Sequence, residues 1–384
     1  MLLAPAHVKL DEDQITLIEA ARDFACGELL PLDRKWDEDE SAVTEVLPTL
    51  GEMGLLNMLV PEELGGVGCP YSTYASIIHT ISAHSPSTAV TIAVHSMVGT
   101  ILNKYMPDPL RRELLSTWGS ADSFAAFVLS EAGAGSDAAG VKATAEKVDG
   151  GYHVNGEKMW ATNGLTARWL LTLVRLQGVP DGESLCALLV DGNQSGIERT
   201  EIHGKMGIRG SETAVINYTD TFVPDDHLIG EHGKGLEVFL STLNHGRVGI
   251  GAQATGISEA CLTEMVDYAR QREQFGRPIG SFQAVANMIA DSAVELEAAK
   301  ALVWRAARKV EAGDTDRLAS SMAKAYASEA ANRIAYRAVQ VHGGAGYVRE
   351  CRVEQLYRDA RVTTIYEGTT EIQRIVIARE LARL

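Results

Sequence analysis

The stretch Thr364-Ile365-Tyr366-Glu367-Gly368-Thr369-Thr370-Glu371-Ile372-Gln373-Arg374 places an acid in a turn just before a terminal helix. Ile372, Ile375, Val376, Arg379 and Leu381 recur at roughly helical spacing, and Thr370 with Gln373 reads as a capping box at the helix start. Glu367 then falls in the entry turn, where Gly368 permits backbone angles that other residues resist. A carboxylate shielded from water at that point is a candidate general base with a raised pKa. A carboxylate beside a helix N-terminus can equally be an electrostatic anchor. Position alone leaves both readings open, and the rest of the chain has to choose.

Working outward, residues 281–310 and 316–341 are long, Ala-rich helical stretches with few breakers, of the kind that pack in a bundle or a subunit interface. Residues 121–230 change to a period of two. Val141, Ala143 and Ala145 alternate with Lys142, Thr144 and Glu146; Asp149-Gly150 and Asn155-Gly156 are hairpin-turn signals; and 169–174, 185–190 and 215–218 read as further strands. Short strands without intervening helices predict a small β-barrel or sandwich. The first 120 residues are helical again. Ile15, Ile18, Ala21, Ala25 and Leu29 keep one face, with Pro31 expected to end the run, and 71–83 and 87–103 read as buried helices split at Ser85-Pro86. The expectation is an α+β chain in three parts: a helical domain over 1–120, a β domain over 121–230 and a helical bundle over 231–384.

Composition narrows the function. The 384 residues are 46% hydrophobic, enough for two or three cores. A net charge of −16 disfavours a nucleic-acid partner. The densest acidic run, Asp37-Glu38-Asp39-Glu40, is expected to be a solvated loop. Five scattered cysteines (Cys26, Cys69, Cys186, Cys261, Cys351) carry no Cys-x-x-Cys and no partnered His spacing, which argues for a reducing compartment and against a zinc site. His79, His84 and His95 lack ligand partners at metal spacing, so no metal is expected. The N-terminus lacks a basic segment followed by an apolar one, and no apolar run approaches membrane-spanning length. The expectation is a soluble intracellular protein, cytoplasmic in a bacterium or in the mitochondrial matrix of a eukaryote.

Ser130-Glu131-Ala132-Gly133-Ala134-Gly135-Ser136-Asp137-Ala138 contains the pattern G-x-G-x-x-A. It leads into the alternating strand at Val141 rather than a helix, so it is not a Rossmann loop. Turn amides and the Ser136 hydroxyl, not a helix dipole, would meet a phosphate. A plain glycine-rich β-turn is the alternative.

Six blocks together resemble the acyl-CoA dehydrogenase family of flavoproteins. They are Phe127-Val-Leu-Ser-Glu-Ala-Gly-Ala-Gly-Ser-Asp137, Asn155-Gly-Glu-Lys-Met-Trp-Ala-Thr-Asn-Gly164, Lys205-Met-Gly-Ile-Arg-Gly-Ser-Glu-Thr213, Arg272-Glu-Gln-Phe-Gly-Arg-Pro278, Gln340-Val-His-Gly-Gly-Ala-Gly346 and Ile365-Tyr-Glu-Gly-Thr369. They occur in the family's order across nearly the whole chain. The resemblance implies a helical domain, a middle β domain, a C-terminal four-helix bundle and bound FAD. It also implies α,β-desaturation of an acyl-CoA thioester, electron-transfer flavoprotein as acceptor, and a homotetramer.

By the same resemblance Phe127, Leu129, Ser130, Gly135 and Ser136 line the flavin, with Ser136 also near substrate. Trp160 packs on the flavin and Thr162 bonds its edge. Arg272, Gln274, Phe275, Gln283, Gln340, Gly343 and Gly344 reach FAD from a neighbouring subunit. A guanidinium such as that of Arg272 suits pyrophosphate because its planar fork can bind two oxygens. Thr369 and Glu371 complete the flavin site, while Asn244, Arg247, Tyr366 and Gly368 contact substrate. Three departures are visible: Ala132 where the family often has Pro, Ala161 where it has Ile, and Asn244 where Asp is common.

The family places its base either just before the arginine matching Arg247 or in the Tyr-Glu-Gly-Thr turn. The first position here is Gly246, so the sequence selects Glu367. The resemblance implies that Glu367 removes the thioester α-proton while the β-hydrogen leaves as hydride to flavin N5. An acyl-CoA oxidase on this fold would make hydrogen peroxide in air. A flavin-dependent enoyl-CoA reductase would use the same groups in reverse. A non-catalytic FAD-binding scaffold would keep flavin without turning over thioester.

Overall fold

The computed structural model describes residues 3–5, 8–314 and 317–382. Helix α1 (Glu12–Phe24) opens on a reciprocal capping box in which Gln14 N–H donates to Asp11 Oδ1 at 2.8 Å and Asp11 N–H to Gln14 Oε1 at 3.0 Å. Ile18, Ala21, Ala25 and Leu29 are buried, whereas Ile15 stays exposed. The run does not end at Pro31. A π-helical turn over Ala25–Leu29 leads into α2 (Leu30–Asp39), with the Leu30 N–H reaching the Ala25 carbonyl. Pro31 thus occupies a first turn, where its missing donor costs little. The acidic run is not a solvated loop either. Asp37 lies within α2 and is buried because Arg358 grips both its oxygens, at 2.7 and 2.5 Å.

After α3 (Leu47–Glu52) come α4 (Tyr71–Ser82), α5 (Pro86–Tyr105) and α6 (Leu110–Ser116). Every residue of α4 is buried. Ser85 caps α5 by accepting the Thr88 N–H at 3.2 Å, and Pro86 fills the first helical position. His79 is held between Thr255 (2.9 Å) and Glu259 (3.1 Å), and His95 stacks on Trp118 at 4.6 Å, so both are core histidines.

Eight strands follow: β1 (Ala125–Val128), β2 (Thr144–Val148), β3 (Gly151–Thr162), β4 (Trp169–Leu176), β5 (Leu185–Asp191), β6 (Ile197–Glu201), β7 (Thr213–Pro224) and β8 (Leu228–Ile229). They form one sheet in the order β6-β7-β3-β2-β4-β5-β8, and β1 and β2 pair in parallel with successive parts of β4. The sheet wraps on itself: Thr172 of β4 bonds the Tyr218 hydroxyl of β7 at 2.9 Å, although the two strands are not neighbours in the ladder. Asp149-Gly150 makes the β2–β3 turn. Asn155-Gly156 does not turn the chain, because β3 runs straight through it as a bulge against β7. Gly156 has φ +136°, and a Cβ there would lie 2.7 Å from Ala143 Cα. That crowding explains the glycine without a hairpin.

The remainder is helical: α7 (Gly235–Gln271), a small hairpin of β9 (Glu273–Gln274) and β10 (Arg277–Pro278), then α8 (Gln283–Glu311), α9 (Arg317–His342), α10 (Arg352–Val362) and α11 (Thr370–Ala382). The expected start of α9 at residue 316 lies outside the described residues. Helices α7, α8 and α9 pack on one another, α10 and α11 lie on α9, and α4 and α5 lie on α7. Among the described residues, no helix is long and apolar enough to cross a membrane.

Candidate active site

The turn between α10 and α11 carries Glu367 at φ +53° and Gly368 at φ +87°. A left-handed residue other than glycine costs on the order of 1–3 kcal/mol and persists only where its surroundings hold it. Here the side-chain amide of Gln373 donates to the carbonyls of Glu367 (3.2 Å) and Gly368 (2.9 Å), and Lys324 Nζ donates to the Gly368 carbonyl at 2.7 Å. The expected Thr370–Gln373 capping box is therefore absent. Thr369 lies just before the helix and its hydroxyl accepts from Ile372 N–H at 3.4 Å, while Gln373 is drawn back to the two strained carbonyls.

Glu367 Oε2 is sealed from solvent and has no hydrogen-bond partner. Burial pushes its carboxyl up to about 7, against the opposing pull of Arg247 and Lys324. A structural anion at a helix N-terminus would be expected to point at backbone donors. This carboxylate instead points at α7: a Cβ at position 246 would lie 2.6 Å from Oε2 and 2.9 Å from Met97 Sδ. Gly246 is thus the space the acid uses.

Arg247 is buried beside it, its Nη1 3.2 Å from both Asn244 Oδ1 and Ser321 Oγ, and its Nε has no partner. Burial lowers its pKa to about 10, with Glu367 opposing that shift. Lys324 is fully buried on α9, and burial brings it down to about 7, with Glu367 and Glu371 holding it up and Arg247 adding to the fall. The sequence reading missed Lys324. Its one signal was a lysine on the small-residue face of α9, in line with Ser328 and Ala331.

Tyr366 packs with Val90, Val94, Ile208 and Ile250, a cluster that also receives Phe127 from β1, and its hydroxyl bonds Gln253 Oε1. The acid is thereby joined to the strand expected to line a flavin. The loop after β1 is indeed a tight turn, with Glu131 and Ala134 exchanging both backbone bonds at 3.0 and 3.1 Å. An ion pair absent from the sequence reading, with Lys158 buried and Glu131 partly so, anchors it. Glu131 accepts from Lys158 Nζ (2.8 Å) and from the N–H groups of Lys142 (2.7 Å) and Ala143 (2.9 Å), and Lys158 also holds the Leu129 carbonyl at 3.0 Å. Met159 N–H holds the Ser130 carbonyl at 2.9 Å. Gly135 and Ser136 are exposed at the loop tip; on β3, Trp160 is 57% exposed at φ +61°, with Thr162 close by. Thr369 and Glu371 open on a surface cleft shared with Glu329, Arg361 and Ile365.

The remaining candidates sit elsewhere. Arg272, Gln274, Phe275, Gln283, Gln340, Gly343 and Gly344 are exposed at the far end of the bundle, where Tyr268 of α7 stacks on His342 of α9 at 4.2 Å. Phe275, at the hairpin tip with φ +54°, is 94% exposed. Along α7, Arg272 is about 39 Å from Gly246 at 1.5 Å per residue. One chain does not bring the two groups together.

Three family models match in order: the acyl-CoA dehydrogenase N-terminal domain over residues 11–121, the middle domain over 126–221 and the C-terminal domain over 233–382. An acyl-CoA dehydrogenase of Bacillus subtilis is 38% identical over 371 residues, which is 96% of this chain and 98% of that protein. The mitochondrial short-chain specific acyl-CoA dehydrogenase of Rattus norvegicus is 38% identical over 98% of this chain and 92% of its own. The structure of butyryl-CoA dehydrogenase from Megasphaera elsdenii superimposes with a TM-score of 0.94 at 31% identity, covering 98% of this chain and 100% of that one. With Glu367, Arg247 and the β1 loop placed as described, the chain belongs to the acyl-CoA dehydrogenase family. Its α+β architecture is the family's: helical, sheet and helical in turn.

Proposed function

We propose that the protein desaturates an acyl-CoA thioester between Cα and Cβ, with Glu367 as the base. The carrying observation is the buried, unpartnered Glu367 Oε2 facing the side-chain-free position Gly246. A base works best when its pKa lies near the working pH, and general-base catalysis is typically worth ~10²–10⁴ in rate. Arg247 keeps a positive charge nearby, and Lys324, itself brought down to about 7, adds to it while protonated, so the carboxylate remains accessible near neutrality despite its burial. The Glu367 N–H lies in the same turn and would donate to the thioester oxygen as negative charge develops there.

The residues present fit FAD. Trp160 holds a large ring outward in a strained conformation, and a Cβ at Gly133 or Gly135 would meet nothing within 4 Å, leaving the loop backbone open to a ligand. Phe127, Leu129, Ser130, Gly135, Ser136, Trp160, Thr162, Thr369 and Glu371 would hold it from one chain. When bound, FAD supplies an acceptor for the β-hydride. The distal set from Arg272 to Gly344 would complete the site from a second chain, in a homotetramer with electron-transfer flavoprotein as acceptor. The three units would divide near residues 120 and 230.

Anaerobic bleaching of the flavin-loaded protein by a panel of acyl-CoA thioesters tests this reading. At least one saturated thioester is expected to bleach the flavin; retention of oxidised flavin against every length and branching pattern would favour the scaffold. The pH dependence is a second test. Glu367 must be ionised to accept a proton, so the bleaching rate should rise with pH through about 7 and then level off. The groups facing it are Arg247, Lys324, Tyr71, Tyr74 and Tyr366. Lys324→Met removes one of the two cations that oppose the upward shift. It should move this midpoint to higher pH and, by removing one of the two donors to the Gly368 carbonyl while Gln373 remains, lower stability by about 0.5–1.5 kcal/mol. Bleaching across pH and chemical denaturation check the two effects.

A further inference from the structure

Glu367 and Gly246 mark one point on the inner face of α7, and a second lies one turn further along. A Cβ at Gly249 would lie 3.2 Å from the Tyr74 hydroxyl and 3.6 Å from Ala93 Cβ. Tyr74, on α4, is only 2% exposed, yet its hydroxyl has no hydrogen-bond partner among the described residues. A hydroxyl left without a protein partner is available to water or to a ligand. Glu367 lies near enough to raise the pKa values of Tyr74 and Tyr71, after burial, the larger cause. Tyr71 is not available in the same way, because its hydroxyl donates to the His245 carbonyl at 2.8 Å. The two glycines thus let the acid and the Tyr74 phenol approach the backbone of α7 one turn apart, on the same side of the helix.

We propose that Tyr74 closes the acyl groove at Gly249 and restricts this protein to short acyl groups. The inference rests on the desaturase reading, since the acyl α-carbon must lie beside Glu367. From Gly246 to Gly249 the helix rises about 4.5 Å. With carbon–carbon bonds of about 1.5 Å, that is room for roughly three bonds beyond the α-carbon before the chain meets the phenol. A longer acyl group would have to displace a ring buried between α4, α5 and α7.

The test uses flavin-loaded wild type, Tyr74→Ala, Tyr74→Phe and Gly249→Ala, with two readouts: kcat/KM on butyryl-, hexanoyl- and octanoyl-CoA, and equilibrium binding of the matching 2-enoyl-CoA compounds. Wild type is expected to favour the four-carbon thioester over the eight-carbon one by at least about tenfold, since a single methylene in an apolar pocket is worth about 10–200-fold and these two differ by four. Tyr74→Ala should lose most of that preference by gaining the long substrate, and Tyr74→Phe should keep it, because the ring remains. Gly249→Ala narrows the groove from the other side and should weaken butyryl-CoA while leaving flavin content intact, a result that stands even if Tyr74→Ala does not fold. Wild type handling octanoyl-CoA as well as butyryl-CoA, or a folded Tyr74→Ala with unchanged preference, would overturn the proposal. If no thioester is turned over, the desaturase reading fails separately, and length-dependent enoyl-CoA binding still reports on the groove.

Discussion

Glu367→Gln is expected to lower turnover by ~10²–10⁴, the contribution of a positioned general base, while flavin content stays at the wild-type level. Glutamine keeps the size and shape of the side chain and removes only the ability to take a proton. The Gln373 and Lys324 bonds go to backbone carbonyls of the turn, so they are untouched. Thermal unfolding separates this result from a folding defect. The folded pKa of Glu367 lies above its unfolded value, so the native state holds a proton that the unfolded state releases between about pH 4.5 and 7. Wild-type stability therefore falls across that window, and the deficit is complete above about pH 7. Glu367→Gln should melt at a temperature equal to or higher than wild type at pH 8, with the difference vanishing near pH 4. A variant that melted well below wild type at pH 8 would show that the carboxylate is structural.

Gly246→Val is expected to cost about as much from the other side of the same contact. The added Cβ would lie 2.6 Å from Glu367 Oε2, 3.0 Å from its Cδ and 2.9 Å from Met97 Sδ, so the acid must turn away. Displacing a reacting group by about 1 Å can cost ~10² in rate. The flavin contacts lie on other elements, so FAD retention should be unchanged. Gly246→Ala should show a smaller loss in the same direction. Rates near wild type for the valine variant would mean that the carboxylate does not work from where it points.

Much of this was legible in the sequence because it is local. The turn at Glu367, the break at Ser85-Pro86, the change of period at the sheet and the glycine loop before Val141 each show themselves within a few residues. What was hidden depends on distant partners. Asp37 looks like part of a solvated acidic run until Arg358 is brought against it. Asn155-Gly156 looks like a turn until β7 pairs along both sides of it. Pro31 looks like a stop because a π-helical turn leaves no local mark. Lys324 and Tyr74 are single side chains on long helices, and only the packing of α4, α7 and α9 aims them at the acid's surroundings. Gln373 shows how one residue can mislead: its spacing from Thr370 fits a capping box, yet two left-handed residues upstream create carbonyls that compete for the same amide.

The central claim is that one enclosed acid on the α10–α11 turn starts the reaction, and the most direct measurement is a single anaerobic mixing experiment. Flavin-loaded wild type and Glu367→Gln, matched for FAD content, are each mixed with butyryl-CoA and the flavin absorbance is followed. The account predicts rapid bleaching of wild type and a flavin that stays oxidised in the variant over the same interval. Bleaching of Glu367→Gln at close to the wild-type rate would contradict it.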